Sequence, residues 1–160
     1  MKVVIAAVGR MKQGPERELV ARYLARAAAT GKSLGLTGFE VLETPESRAG
    51  ALPLRKGDEA RALEALCPEG AVIVTLDEKG KSLTSQAFAD QLAKWRDDGK
   101  PAAAFLIGGA DGLDLRLVRG AALSLSFSPL TWPHQLVRIM LGEQLYRATT
   151  ILSGHPYHRE

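Results

Sequence analysis

All three histidines of the chain, His134, His155 and His158, lie in its last stretch. Imidazole is the side chain that exchanges protons near neutral pH, so chemistry placed anywhere else must do without it. The terminal Pro156-Tyr157-His158-Arg159-Glu160 is the densest cluster. Tyr can stack on a nucleobase, His can trade a proton, and Arg can grip a phosphate or a base edge. The plain alternative is a solvated chain end, since termini usually fray.

Two further segments precede the tail. Phe105-Leu106-Ile107-Gly108-Gly109-Ala110-Asp111-Gly112-Leu113 runs from an apolar stretch into a glycine turn. Leu125-Ser126-Phe127-Ser128-Pro129-Leu130-Thr131-Trp132-Pro133-His134 runs from an apolar stretch into a loop stiffened by two prolines. Paired glycines after a strand either supply positive φ for a tight turn or let backbone approach a ligand closely. A stiff loop can present its N–H and C=O groups to a flat heterocycle such as adenine.

Other signatures are weak or missing. Gly31-Lys32-Ser33 and Gly80-Lys81-Ser82 mimic the end of a phosphate loop, but Arg26 and Thr75 stand where the earlier glycine is required. The glycine turn at 108–112 is not a dinucleotide fingerprint. There is no nucleophile elbow and no zinc-protease helix motif. His155 and His158 have Pro156 between them and no Cys or carboxylate cluster beside them, so no metal is expected. The single cysteine, Cys67, excludes an internal disulfide and reads as a half-buried thiol rather than a catalytic one.

The elements that must position these segments alternate along the chain. Lys2 to Val8 is a β-branched and alanine run, as for a strand covered on both faces. A helix is predicted from Pro15 to about Ala29, with Leu19, Tyr23, Leu24 and Ala27 inward. A strand follows at Phe39 to Leu42, then a loop over 44–57. A short helix spans Asp58 to Cys67, with Ala62, Leu63 and Leu66 inward. Ala71 to Leu76 is a strand with a loop at 77–81. Thr84 caps a helix to about Asp97, with Phe88, Leu92 and Trp95 buried. Ala102 to Ile107 is a strand, Asp114 to Arg119 a short helix, and Leu123 to Phe127 the last strand. Pro133 opens the final helix, whose apolar stripe runs through Leu136, Val137, Met140, Leu141, Leu145 and Ala148. Ile139 and Tyr146 widen that stripe, which suits a helical dimer interface.

This alternation predicts an α/β fold with a mostly parallel sheet and helices on both faces. Ligands bind such sheets outside the carboxyl ends of the strands. The loops after Leu76, Ile107 and Phe127 are three such ends and predict one pocket.

At 160 residues the chain is expected to form one domain, 1–160, with a real core. Hydrophobic residues at 46% and charged residues at 24% exclude a wholly disordered chain. A net charge of +3 permits an anionic partner such as RNA without requiring one. No apolar run reaches the about 18 residues of a membrane span, and the apolar start is too short for a secretion signal. A cytoplasmic location is expected.

Taken in order, Leu-Ile-Gly-Gly-x-x-Gly-Leu at 106–113, Leu-Ser-x-Ser-x-Leu-Thr-x-Pro-His at 125–134, Glu-Gln-Leu-Tyr-Arg-Ala at 143–148 and the Pro-Tyr-His-Arg-Glu end resemble the RlmH (YbeA-like) family. These are SPOUT-class, S-adenosylmethionine-dependent rRNA methyltransferases. The resemblance spans the chain and is most specific from Val72 onward. It implies a C-terminal trefoil knot, one of the few exceptions to unknotted folds. It also implies a homodimer, and methylation of N3 of a pseudouridine in helix 69 of large-subunit rRNA on assembled ribosomes.

Carried onto this sequence, the cofactor residues would be Leu76, Gly108, Gly109, Phe127, Ser128, Pro129, Leu130, Thr131, Trp132 and Pro133. Tyr157, His158 and Arg159 would meet the substrate nucleotide. Ala110-Asp111 departs from the Pro-Glu or Ser-Asn more usual there, and Trp132 from Leu or Phe. A sulfonium methyl donor needs no metal, but the N3 proton must leave. His158 is the candidate base and Arg159 the candidate stabiliser of charge on the carbonyl oxygens. The sequence leaves open whether His158 removes the proton or only orients the base. The competing reading is a non-catalytic ribosome- or RNA-binding α/β protein. It predicts no cofactor pocket.

Overall fold

Val3 to Val8 are fully buried because strand β1 (Lys2–Val8) lies inside the sheet, with helices on both sides. The computed structural model describes residues 1–159. The remaining elements are α1 (Pro15–Gly31), a 3-10 turn at Lys32–Leu34, β2 (Thr37–Thr44), α2 (Leu52–Leu66), β3 (Val72–Ser82), α3 (Ser85–Asp97), β4 (Ala102–Ile107), α4 (Leu115–Gly120), β5 (Leu123–Ser126) and α5 (His134–Ser153). All four strand pairings are parallel, in the order β2-β1-β4-β3-β5.

Alternation along β1 divides the core. Val3, Ile5 and Ala7 face α1, α3 and α5 through Leu24, Leu92 and Leu145. Val4, Ala6 and Val8 face α2 and α4 through Leu63 and Leu117. The period-two geometry of a strand requires this split. The expected α/β architecture is therefore present, with three helices on one face and two on the other.

Thr84 caps α3 as expected, its hydroxyl accepting from the Ala87 N–H at 3.1 Å. Elsewhere boundaries differ. Residues 52–57 belong to α2 and not to the expected loop. Pro53 sits in the first turn, where a missing N–H costs nothing, and Gly57 is carried inside the helix. Glu59, Ala60 and Leu63 are its buried residues.

Strand β3 also outlasts its expected end. After Leu76 the pairing with β5 skips four residues and resumes at Lys81 and Ser82. Gly80 makes this possible: a Cβ there would lie 2.7 Å from the Ser124 carbonyl oxygen. The second Gly-Lys-Ser is thus strand pairing around a bulge, and Asp77 to Lys79 are pushed toward the sheet's carboxyl edge. Gly31 has a comparable packing reason, since a Cβ there would meet the Phe39 ring at 2.8 Å.

The buried face of α5 is rotated from the expected stripe. It runs through Arg138, Leu141, Gly142, Leu145, Ala148 and Thr149, while Leu136 remains 40% exposed. Gly142 sits against Tyr23 and Leu24 of α1. Arg138 is 0% exposed. Its Nη1 donates to Glu43 at 2.8 Å, and its Nη2 donates to the Val8 and Gly9 carbonyls at 2.6 and 2.8 Å. Burial pulls its pKa down from the usual value, and the Glu43 carboxylate opposes that shift. This cluster ties the carboxyl ends of β1 and β2 to the first turns of α5.

Candidate active site

The carboxyl ends of β3, β4 and β5 open into one cavity of about 770 Å³. That lies within the usual range for small-molecule sites. Its walls come from the bulge of β3 at Leu76 to Lys79, where a loop was expected, from Ile107 to Leu113 at the end of β4, and from Phe127 with Leu130 to His134 between β5 and α5. Leu125 from β5 and Val137 from α5 complete the apolar floor, and Lys56 and Leu115 stand at the edge.

Eight of the ten expected cofactor residues line this cavity: Leu76, Gly108, Gly109, Phe127, Leu130, Thr131, Trp132 and Pro133. Ser128 and Pro129 do not. Ser128 shapes the loop instead, accepting the Leu130 N–H on its hydroxyl and the Ser126 hydroxyl on its carbonyl, both at 3.0 Å. The loops are also tied across the cavity mouth. Thr131 donates to Glu78 at 2.9 Å, and Arg55 of α2 donates to Asp111 at 2.9 Å. Glu78, Asp111, His134 and Val137 are lining residues that sequence reasoning did not assign. The alternation of elements could have flagged His134, the first residue of a helix directly after a pocket loop.

The paired glycines are needed, but not chiefly for positive φ, which occurs at Gly112 (75°). A Cβ on Gly108 would lie 2.8 Å from the backbone of Gly112, and one on Gly109 would lie 3.0 Å from Val8. The turn therefore folds on itself and on β1: Gly108 has no room for a side chain, and at Gly109 one fits only if Val8 shifts. Gly109→Val is accordingly expected to displace the whole loop, abolishing cofactor binding in calorimetry and lowering the melting temperature as well. Normal cofactor affinity in that variant would remove the turn from the site.

The described tail residues are not at this cavity. None of Tyr157, His158 and Arg159 lines it. The chain turns at Gly154 (φ 69°) and folds back on α5. Tyr157 packs on Tyr146 with centroids 4.6 Å apart, beneath the Arg147 guanidinium at 4.9 Å. Its hydroxyl donates to Glu143 at 3.1 Å. Burial, then the Glu143 charge, hold that phenol above its ordinary pKa, so it stays protonated and donates at neutral pH. Arg147 donates to Glu143 through Nε at 3.0 Å and Nη2 at 2.6 Å, and its Nη1 lies 3.2 Å from His158 Nδ1. Arg159 is exposed, and Glu160 lies outside the described residues. Along α5, Arg147 stands ten positions beyond the cavity residue Val137 and thirteen beyond His134, roughly 15 and 20 Å at helical rise. One chain thus holds a ligand cavity and a polar tail that do not meet.

Cys67 is half-buried, and burial pushes its thiol up to about 11, so it is un-ionised at neutral pH. Among the described residues no three His, Cys, Asp or Glu side chains converge as a metal site would require.

The protein is an α/β parallel-sheet fold with a cavity at the sheet's carboxyl edge, walled by a glycine turn and a proline-stiffened loop, the place where such sheets bind ligands. Comparison with known proteins narrows the class. A family model described as "Predicted SPOUT methyltransferase" matches residues 1–158. The chain is 57% identical over 159 residues to the Ribosomal RNA large subunit methyltransferase H of Nitrobacter hamburgensis, covering 99% of each. It is 58% identical over 159 residues to the protein of that name from Rhodopseudomonas palustris, and 53% to that of Bradyrhizobium sp., again covering 99% of each chain. The chain belongs to the SPOUT methyltransferase family.

Proposed function

We propose that this protein is an S-adenosylmethionine-dependent methyltransferase of large-subunit (23S) rRNA, acting on N3 of a pseudouridine in helix 69 of the assembled ribosome. The observation that carries the reading is the cavity at the ends of β3, β4 and β5, in a chain of this family. Residues 1–160 act as one domain in the cytoplasm. No helix among the described residues is long and apolar enough to cross a membrane.

The cavity fits the cofactor. Leu76, Leu125, Phe127 and Val137 offer apolar surface for a purine. The 108–112 and 127–133 loops offer backbone groups, and Asp77 and Glu78 offer carboxylates beside Lys56 and Lys79, Asp111 being paired with Arg55. When bound, the cofactor supplies a methyl group already activated by its sulfonium. The protein's own tasks are then to align the acceptor nitrogen, exclude water and give its proton a route out. The tail carries the groups for the acceptor.

Because tail and cavity are apart within one chain, a second copy must bring them together. A groove beside the cavity, shared by α1, α3 and α5, suits that copy. Tyr23, Phe88, Ile139 and Met140 line it, with Phe127 common to both. The active unit is a homodimer, each cavity completed by the other copy's tail. Light scattering at micromolar concentration should give about twice the 17.2 kDa chain mass; a monomer would exclude the shared site.

The C-terminal third is proposed to form the trefoil knot. β4 and β5 flank β3 on opposite sides, α4 crosses on one face, and α5 returns on the other.

The deciding experiment is calorimetric titration with S-adenosylmethionine or S-adenosylhomocysteine, followed by methyl transfer to ribosomes lacking the modification. Micromolar binding and transfer support the reading. Ribosome binding without cofactor binding would leave a non-catalytic RNA-binding protein.

A further inference from the structure

The Glu143–Arg147–Tyr157–His158 cluster carries more organisation than a docked terminus needs. Glu143 Oε1 accepts three hydrogen bonds, two from Arg147 and one from Tyr157. Its Oε2 accepts from Gln144 at 2.8 Å, and Gln144 in turn accepts from Ser85 of α3 at 2.9 Å. Arg147 is thereby fixed through Nε and Nη2, leaving Nη1 toward His158 Nδ1 at 3.2 Å. Tyr157, pinned between Tyr146 and Arg147, sets the direction of the next residue. From α1, Tyr23 and Arg26 face the Tyr146 ring and close the cluster.

A guanidinium has five donors and no acceptor. Its contact with Nδ1 is a hydrogen bond only if Nδ1 carries the lone pair. The ring proton of neutral His158 is then on Nε2, which points away from the clamp.

We propose that Arg147, held by Glu143, is a positioning residue that fixes His158 as the Nε2–H tautomer, so that His158 acts on the acceptor base as a hydrogen-bond donor and not as the proton acceptor. This rests on the methyltransferase reading above. In that role Nε2–H donates to a carbonyl oxygen beside N3, where negative charge gathers as the N3 proton departs to water. Nδ1 is engaged by Arg147 and Nε2 already bears a proton, so the clamped ring has no free lone pair for N3–H.

The test has two arms on the full-length protein. First, ¹⁵N-histidine labelling and long-range ¹H–¹⁵N spectra, with His158 signals identified by their loss in His158→Gln, report the tautomer directly. The expected result is Nε2–H alone in the native protein and a mixture in Arg147→Met. Nδ1–H in the native protein, or no change in Arg147→Met, would overturn the clamp. Second, methyl transfer is measured for His158→Ala, His158→Gln and Arg147→Met. Gln keeps an N–H donor near the Nε2 position but cannot serve as a base. His158→Gln should retain much of the activity that His158→Ala loses, and the ratio of native to His158→Ala rates should stay flat as pH rises. Arg147→Met should lower kcat toward the His158→Ala value at unchanged cofactor affinity. His158→Gln as inactive as His158→Ala, or a ratio that shrinks with pH, would make His158 the base. Should the native protein fail to methylate ribosomes, the functional reading falls, while the first arm still decides the clamp.

Discussion

Deleting Tyr157 to Glu160 should lower methyl transfer by at least the ~10²–10⁴-fold that one positioned acid, base or donor contributes, while leaving cofactor affinity nearly unchanged. The two effects separate because the proposed cofactor cavity is walled by the segments after Leu76, Ile107 and Ser126, while the tail supplies groups for the acceptor. His158→Ala should give a large part of the loss. Arg159→Ala should weaken ribosome binding or transition-state stabilisation, since its exposed guanidinium is free to reach phosphate or a base carbonyl. The tail's grip on α5 adds a modest stability effect that a frayed end would not show. The Tyr146–Tyr157 contact is worth about 0.5–1.5 kcal/mol and the Tyr157–Glu143 hydrogen bond a similar amount. The melting temperature should therefore fall by a few degrees and no more. Full transfer activity in the deletion variant would reduce the tail to a packing element.

Those tail contacts mark where sequence reading stopped. Glu143, Tyr146 and Arg147 stood in plain view in the Glu-Gln-Leu-Tyr-Arg-Ala segment, but nothing in their spacing says that the chain doubles back onto them. The turn at Gly154 does that, and a glycine after a helix signals only an end. The strands, by contrast, were legible because each is a short apolar run bounded by turn residues. β1 and β4 are buried on both faces, so their composition alone declares them. Their parallel order follows from the helices between them, and the pocket follows from the parallel order.

The first turn of α2 was hidden because Pro53 and Gly57 read as punctuation, although Pro is tolerated in a first turn. The bulge in β3 was hidden because Asp77 to Lys79 are polar, while the pairing that resumes beyond them depends on a distant backbone. The rotated face of α5 was hidden by Arg138: periodicity counts apolar side chains and is blind to a cation that is buried because its partners are waiting.

Replacing that cation should show how far the pocket depends on it. Arg138→Met keeps the unbranched stem to about the Nε position and removes every donor. Among the described residues Glu43 would keep only the Met11 N–H at 2.9 Å, and the Val8 and Gly9 carbonyls would lose their charged partner. Removing one partner of a buried ion pair typically costs ~3–5 kcal/mol. Glu43 is still a quarter exposed and can recruit water, which favours the low end, about 3 kcal/mol. For a chain of this size that is a fall in melting temperature on the order of 10 °C. The native pairing is itself imperfect, because Arg138 Nε is buried without a partner. Arg138→Met combined with Glu43→Met should therefore be more stable than Arg138→Met alone, since no uncompensated carboxylate remains. Urea midpoints for the native protein, both single variants and the double variant give this coupling directly. The single Arg138 variant should also bind cofactor more weakly. Val137 precedes Arg138 and His134 lies one turn earlier, both on the cavity wall, and the latch sets where that turn sits against β1. A single variant within about 1 kcal/mol of the native protein, inside the ordinary range for point substitutions, would show that α5 is seated by its apolar contacts alone and that Arg138 merely fills space.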